Sequence, residues 1–184
     1  MKTLPLIIAP NPILKQISKP VDTIDNALRH FLKDMVQTMY YEQGVGLAAV
    51  QVGVLKRIVV IDVDYKIEED DHHHHGDHCN HNHIINTNPR YFINPEIVAS
   101  SKEFSSYNEG CLSFPGARSE VKRPDVVTVK YLDFNGQEKT EKMEGLLATC
   151  IQHEIDHLNG ITFVDHISKI KREMILKKIR KNQS

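Results

Sequence analysis

Residues 152 to 160, QHEIDHLNG, set His153, Glu154 and His157 in the order H-E-x-x-H. On a helix, side chains four apart stand one turn above the other on one face. His153 and His157 can therefore grip one metal ion from the same side. Glu154 is rotated ~100° from His153, so it flanks the ion and does not compete for it. A free carboxylate in that place can handle the proton of a metal-activated water, so the pattern points to hydrolysis rather than to a closed structural site. The bland alternative is an amphipathic helix whose histidines are merely polar neighbours.

A catalytic ion of this kind needs a third protein ligand. One protease pattern places another histidine six residues after the second, but Phe163 stands there. Glu173, the one acid of the tail, sits among lysines and arginines. Cys150 shares a face with His153 but lies seven residues from His157, ~10 Å along the axis, and reads better as a small apolar core residue. Cys79 lies in a polar, His-rich stretch, and Cys111 lies in NEGCLSFPG, bounded by Gly and Pro. A thiolate is a strong ligand for Zn²⁺ or Fe²⁺. By spacing alone Cys111 leads its rivals without displacing them.

The elements that must position these groups are legible in outline. From Glu144 to Leu158, apolar residues recur at three- and four-residue steps (Leu146, Leu147, Cys150, Ile151, Leu158), and Asn159-Gly160 supplies a stop. A second helix is expected from Asp25 to Tyr41, with Ala27, Leu28, Phe31, Leu32, Met35 and Met39 on its apolar face. RIVVID (57 to 62), NPEIVAS, DVVTVKYLD and the EKTEKMEG region read as strands, with a hairpin turn at Asn135-Gly136. Taken alone, Gly44 and Gly46 of GVGLAAVQ (44 to 51) read as a tight turn after the preceding helix and Gln51 as an ordinary polar residue at a strand edge. Few strands alternate with helices. An α+β fold, with antiparallel sheets packed around a central metal-binding helix and a C-terminal helix, fits better than a doubly wound sheet.

At 184 residues the chain is expected to form one domain, with no need of disulfide staples. Its three cysteines suit a reducing cytoplasm. The start MKTLPLIIAPNPIL makes a poor signal peptide, and no stretch approaches the ~20 apolar residues of a membrane span. Neither a membrane nor DNA is expected as a partner. Residues 64 to 90 hold seven of the eleven histidines, among acids and amides. They read as a solvated loop insertion, with transient metal capture as the functional alternative. Residues 166 to 184 read as a basic C-terminal helix. Ser168 to Lys181 carries seven Lys or Arg against one acid, with Ile170, Met174, Ile175 and Ile179 as an apolar stripe.

Three segments taken together, GVGLAAVQ, EGCLS (109 to 113) and QHEIDHLNG, closely resemble the three signature motifs of bacterial peptide deformylases, in the same order. The similarity runs from PLIIAPNPILKQISKPV to GLLATCIQHE and the basic tail, and spares only the stretch 64 to 90. The resemblance implies removal of the formyl group from the N-terminal formyl-methionine of new polypeptides. It implies Cys111, His153 and His157 as ligands of one divalent ion per chain, Fe²⁺ in the cell, with Zn²⁺, Ni²⁺ or Co²⁺ able to substitute. Glu154 falls at the acid/base, and Gln51 and the Leu112 N–H at the groups that stabilise the reacting oxygen. Gly46 falls at a backbone contact to substrate, while Val45, Glu109, Arg118, Leu146 and Cys150 fall at the methionine pocket or its rim. Tyr107 is bulkier than the aliphatic residue expected there. The resemblance also makes ribosomal RNA a candidate partner of the basic tail, beside N-formylmethionyl nascent peptides as substrate. The competing readings are a zinc endopeptidase and a metal-binding or ribosome-associated protein without catalysis. The missing protease-type ligand opposes the first, and Glu154 beside the paired histidines opposes the second.

Overall fold

The computed structural model describes residues 2–68 and 83–183. Helix α1 (Asn26–Tyr41) starts where the Asp25 carboxylate accepts the Leu28 N–H at 2.8 Å, satisfying one of the otherwise unpaired donors of its first turn. Its buried face is Leu32, Met35, Val36 and Met39, while Ala27 lies exposed.

Five antiparallel strands form the main sheet: β1 (Gly46–Ala48), β2 (Ile58–Ile61), β5 (Arg90–Ser100), β8 (Val126–Leu132) and β9 (Glu138–Glu144), in the spatial order β1-β2-β5-β8-β9. Strand β2, IVVI, is buried throughout because the sheet is covered on both faces. Ile58 and Val60, on one face, pack with α1 through Leu32, Met35 and Met39. Val59 and Ile61 point the other way, into a cluster with Phe92, Val127, Val129, Met143 and the apolar residues of α2 (Gly145–Leu158). The period-two alternation of side chains thus builds two cores from one short run. Helix α2, caught between this sheet and the rest of the chain, buries nearly every side chain from Ala148 to Leu158. It ends as expected: Gly160 adopts φ +72°, and a side chain there would meet the Lys15 carbonyl oxygen at 2.5 Å.

Sequence reasoning passed over two further strand pairs. β6 (Phe104–Gly110) and β7 (Arg118–Pro124) form a hairpin in full register from Phe104↔Pro124 to Gly110↔Arg118. Their sequences, FSSYNEG and RSEVKRP, carry little apolar alternation, because most outward positions are polar and only Glu109, Ser119, Val121 and Arg123 are buried. The stretch 64 to 90, expected to be a loop, is corrected at its described ends. β3 (Lys66–Glu68) pairs with β4 (His83–Ile85), and β5 already begins at Arg90. The histidine tract proposed for metal capture, with Cys79, lies outside the described residues. GVGLAAVQ is likewise more than a turn. It supplies β1 and then a 3-10 turn, Ala49–Val52, that carries Gln51.

Helix α3 (Lys169–Gln183) docks through Ile175, Leu176 and Ile179 against Leu14, Phe114, Phe163 and Val164. Ile170 and Met174 do not join this face; they are 73% and 67% exposed. Asp165 fastens the junction. Its carboxylate pairs with Lys15, accepts the Thr162 N–H at 2.8 Å and meets Arg172 at 2.9 Å. Burial pulls its carboxyl upward, but the bonds from Lys15 and Thr162 outweigh that and hold it below the usual aspartate range. A depressed carboxylate stabilises the fold above its unfolded pKa and loses that contribution as pH falls. Asp165→Asn is therefore expected to cost ~1–2 kcal/mol near pH 7, with the gap to the parent closing in urea titrations as pH falls below about 4.

Candidate metal centre and active site

Three segments far apart in sequence supply the centre. Helix α2 contributes His153 and His157, 7% and 0% exposed, with ring centroids 5.0 Å apart. The turn after β6 contributes Cys111. That turn is closed by Phe114 N–H donating to the Cys111 carbonyl at 2.9 Å and is pinned from below by Phe114, whose ring meets Phe163 edge-on at 5.3 Å. The N-terminal arm holds the same turn, through Ala9 N–H to the Ser113 carbonyl at 2.9 Å. The donor atoms of Cys111, His153 and His157 all lie within 4.8 Å of one another, and Cys111 Sγ is 3.2 Å from His157 Nε2.

The set fits a divalent transition-metal ion on its own chemistry. One sulfur and two imidazole nitrogens leave a coordination position open. His153 Nδ1 is 2.8 Å from Glu109 Oε2, which fixes the tautomer and turns the opposite nitrogen inward. Burial disfavours charge on His153, but Cys111 and Glu109 outweigh it and raise its pKa well above the ordinary value. Burial, then the neighbouring His153, push His157 the other way, which keeps it neutral as a ligand must be. Among the described residues His157 Nδ1 has no hydrogen-bond partner.

Behind His153 runs an ion network that sequence reasoning missed. Arg123 reaches Glu109 through Nε at 2.5 Å and Nη2 at 3.1 Å, and Asp156 through Nη1 at 2.7 Å. His166 Nε2 meets Asp156 at 2.7 Å. Burial raises the Glu109 carboxyl, but His153 and Arg123 more than reverse this and bring it to about 2. Glu109, expected at the methionine pocket, thus has both carboxylate oxygens occupied behind the ligand. Arg123 gives no sequence signal, for nothing in RSEVKRP sets it apart from the neighbouring lysine.

Glu154 is 4% exposed, and its Oε2 has no partner among the described residues. Burial drives its carboxyl up to about 7, against the opposing pull of His153. β1 presses against it: a side-chain carbon on Gly46 would stand 2.5 Å from Glu154 Oε1 and 2.7 Å from Cys150 Sγ. Only glycine lets the backbone come this close. Gln51 is 1% exposed. Its Oε1 must accept the Ala48 N–H at 2.8 Å, so its Nε2 faces Cys111 Sγ at 3.4 Å and Ser113 Oγ at 3.3 Å as a donor. Leu112 follows Cys111 directly, and its side chain fills the space beside Gly44.

The remaining candidates are spread around these groups. Cys150 is 6% exposed, its thiol pushed well above the usual range by burial and then by Glu154, and it lies 3.7 Å from the Val45 carbonyl. It packs in the core and is not a third ligand. Val45 and Leu146 offer apolar surface, 39% and 44% exposed. Arg118 stands exposed at the start of β7, opposite Gly110, and Tyr107 is half-buried opposite Val121. Glu173 lies exposed on α3.

Comparison with known proteins gives a consistent result. The model of the polypeptide deformylase family matches residues 3–173. A peptide deformylase of Rhizobium meliloti is 49% identical over 181 residues, which is 98% of this chain and 94% of that one. The crystal structure of a peptide deformylase from Ehrlichia chaffeensis superposes with a TM-score of 0.84 at 41% identity, covering 99% of this chain and 97% of that one. The Ehrlichia protein in complex with actinonin gives 0.84 at 40% identity, covering 99% and 98%.

Arg123 is the test of how the centre is braced. Arg123→Met leaves two carboxylates without their buried partner, and a loss of about 3 kcal/mol or more in chemical unfolding is expected. Affinity for Zn²⁺, read by competition with a chelator, should fall about 10–100-fold because Glu109 no longer holds His153 in place.

Proposed function

This chain belongs to the polypeptide deformylase family, and we propose that Glu154, Gln51 and the Leu112 N–H handle proton and charge in its reaction while Cys111, His153 and His157 hold one divalent ion. The reaction is hydrolysis of the N-terminal formyl group from the formyl-methionine of newly made polypeptides, with release of formate. The observation that carries the residue assignment is the convergence of the three donors within 4.8 Å beside a buried acid.

When bound, the ion supplies Lewis acidity, making water nucleophilic near neutral pH and polarising a carbonyl. Glu154 accepts the attacking water's proton on its free carboxylate oxygen. As the new C–O bond forms, the formyl oxygen becomes negative. Gln51 Nε2 and the Leu112 N–H donate to it, each such donor being worth roughly 3–4 kcal/mol in the transition state. Glu154 then gives the proton to the amine nitrogen as the C–N bond breaks, leaving formate and a free N-terminus.

Gly46 contacts the substrate backbone. Val45, Leu146 and Cys150 border the methionine side chain, with Arg118 at the rim. Glu109 acts from behind His153, since both its oxygens are engaged there. Fe²⁺ is the ion proposed in the cell, as the family resemblance implies; a thiolate and two imidazoles suit Zn²⁺, Ni²⁺ or Co²⁺ as well, and these are able to replace it. The chain works as one catalytic unit in the cytoplasm. No helix among the described residues is long and apolar enough to cross a membrane. The basic face of α3 is proposed to meet ribosomal RNA, a contact that should weaken steeply with salt.

Release of formate from formyl-Met-Ala-Ser without internal cleavage is the expected result; cleavage between residues, or no formate, would overturn the reading. Glu154→Ala should keep one bound ion per chain and lose turnover. Gln51→Ala should lower kcat by roughly 10²–10³, and a near-normal kcat would return Gln51 to a structural part.

A further inference from the structure

The chain leaves the main sheet at Asp62 and comes back at Asn88, and both ends of this excursion are tied to one buried carboxylate. Asp62 is 1% exposed. Its Oδ1 accepts the N–H of Asp64 at 3.0 Å and of Tyr65 at 3.2 Å. Its Oδ2 accepts the Tyr40 hydroxyl at 2.5 Å and the Asn88 N–H at 2.6 Å. Four donors on one buried acid make a rigid hub, since moving any of them leaves a polar atom unpaired.

The hub also grips the segment that borders the active site. The Asp62 N–H donates to the Val45 carbonyl at 3.0 Å, and the Tyr65 hydroxyl donates to the Gly44 carbonyl at 3.2 Å. The Tyr40 and Tyr65 rings pack edge to face at 5.0 Å, holding the Tyr65 hydroxyl in place. On its other side the same short segment touches the reacting groups. Gly44 packs on Leu112, and Gly46 packs on Glu154 and Cys150 with no room for a methyl group. Among the described residues strand β1 is the edge of its sheet, paired only with β2, so the sheet restrains it from one side alone. The hydrogen bonds from Asp62 and Tyr65 supply further restraint.

We propose that Tyr65 and Asp62 are positioning residues for the deformylation reaction, fixing the Gly44–Gly46 backbone against Glu154 and Leu112 so that the formylated peptide is aligned along it. This rests on the deformylase reading given above. Neither residue touches substrate; each acts through the carbonyls of Gly44 and Val45. Tyr65 stands at the root of the β3–β4 pair, so the excursion that this chain carries between β2 and β5 is built onto the substrate strand itself.

Tyr65→Phe removes only the hydroxyl and keeps the ring that packs on Tyr40. With formyl-Met-Ala-Ser, KM is expected to rise about 10-fold while kcat stays within about twofold. Thermal midpoint and bound metal per chain should match the parent. With formyl-methionine amide, which lacks the following peptide backbone, the rise in KM should shrink to about twofold. Asp62→Asn should raise KM in the same way, and the double variant should be less than multiplicative, since both act through one strand. An unchanged KM for Tyr65→Phe would overturn the proposal, as would a loss of activity that merely follows loss of bound metal. Equal losses on the two substrates would overturn it as well. Absence of formate release by the parent chain would instead sink the deformylase reading, so the two failures are distinguishable.

Discussion

The Glu109 carboxylate is the interaction on which the rest of the centre depends. It lies between Arg123 and the Nδ1 of His153, in a place with almost no access to water. A carboxylate so buried is costly unless every lone pair is engaged. Arg123 engages it in two bonds and then reaches on to Asp156, so one guanidinium serves two carboxylates within a few ångströms. What this arrangement secures is direction. His153 is held by the nitrogen that does not face Cys111, and the ring can neither flip nor drift. Asp156 extends the brace to the outside of α2, where His166 meets it.

The apolar architecture serves the same end from further away. α2 can bury His153, Glu154 and His157, along with Thr149 and Gln152, because both flanks of its apolar surface are taken up by the sheet. The other donors must then come to the helix. The β6–β7 hairpin brings Cys111 in the turn that directly follows the strand carrying Glu109, two residues earlier. One strand end and its turn thus supply a ligand and the partner of another ligand. β1 arrives on the opposite side, and its glycine at position 46 sets how near the backbone stands to Glu154. Each part is held by a different hydrophobic cluster, so the site's geometry is a property of how the three clusters fit together.

The parts of this design that were legible in the sequence are those with a repeating or chemically distinctive signature. H-E-x-x-H announces its own helix, because three- and four-residue apolar steps surround it and Asn159-Gly160 ends it. IVVI and VVTVKYL declare strands by run and alternation. The third ligand is not fixed by spacing, since a turn between two polar strands carries no periodicity; its Gly- and Pro-bounded segment put Cys111 ahead of Cys79 and Glu173, and resemblance to known motifs then selected it. β6 and β7 were invisible for the same reason. Their pairing satisfies the backbone while most of their side chains face water, and alternation of serine, asparagine and glutamate is not a strand signal. Arg123 and Asp156 stood out least. An arginine in a polar hairpin and an acid inside a helix look like surface residues until the fold sets Arg123 between Glu109 and Asp156.

The excursion between β2 and β5 shows the same limit from the other side. Composition made 64 to 90 a solvated stretch, yet composition says nothing about where its ends are fastened. Those ends converge on Asp62 because strand β2 delivers that residue, at the end of IVVID, to the position where the sheet stops and Val45 leads into β1. A carboxylate there can accept backbone donors from both the departing and the returning chain, and a tyrosine three residues on can reach back to Gly44. An insertion rooted in this way is not an appendage to the sheet. Its stem shares hydrogen bonds with the segment that approaches the catalytic glutamate, so a change in how the stem is held reaches that segment through the carbonyls of Gly44 and Val45.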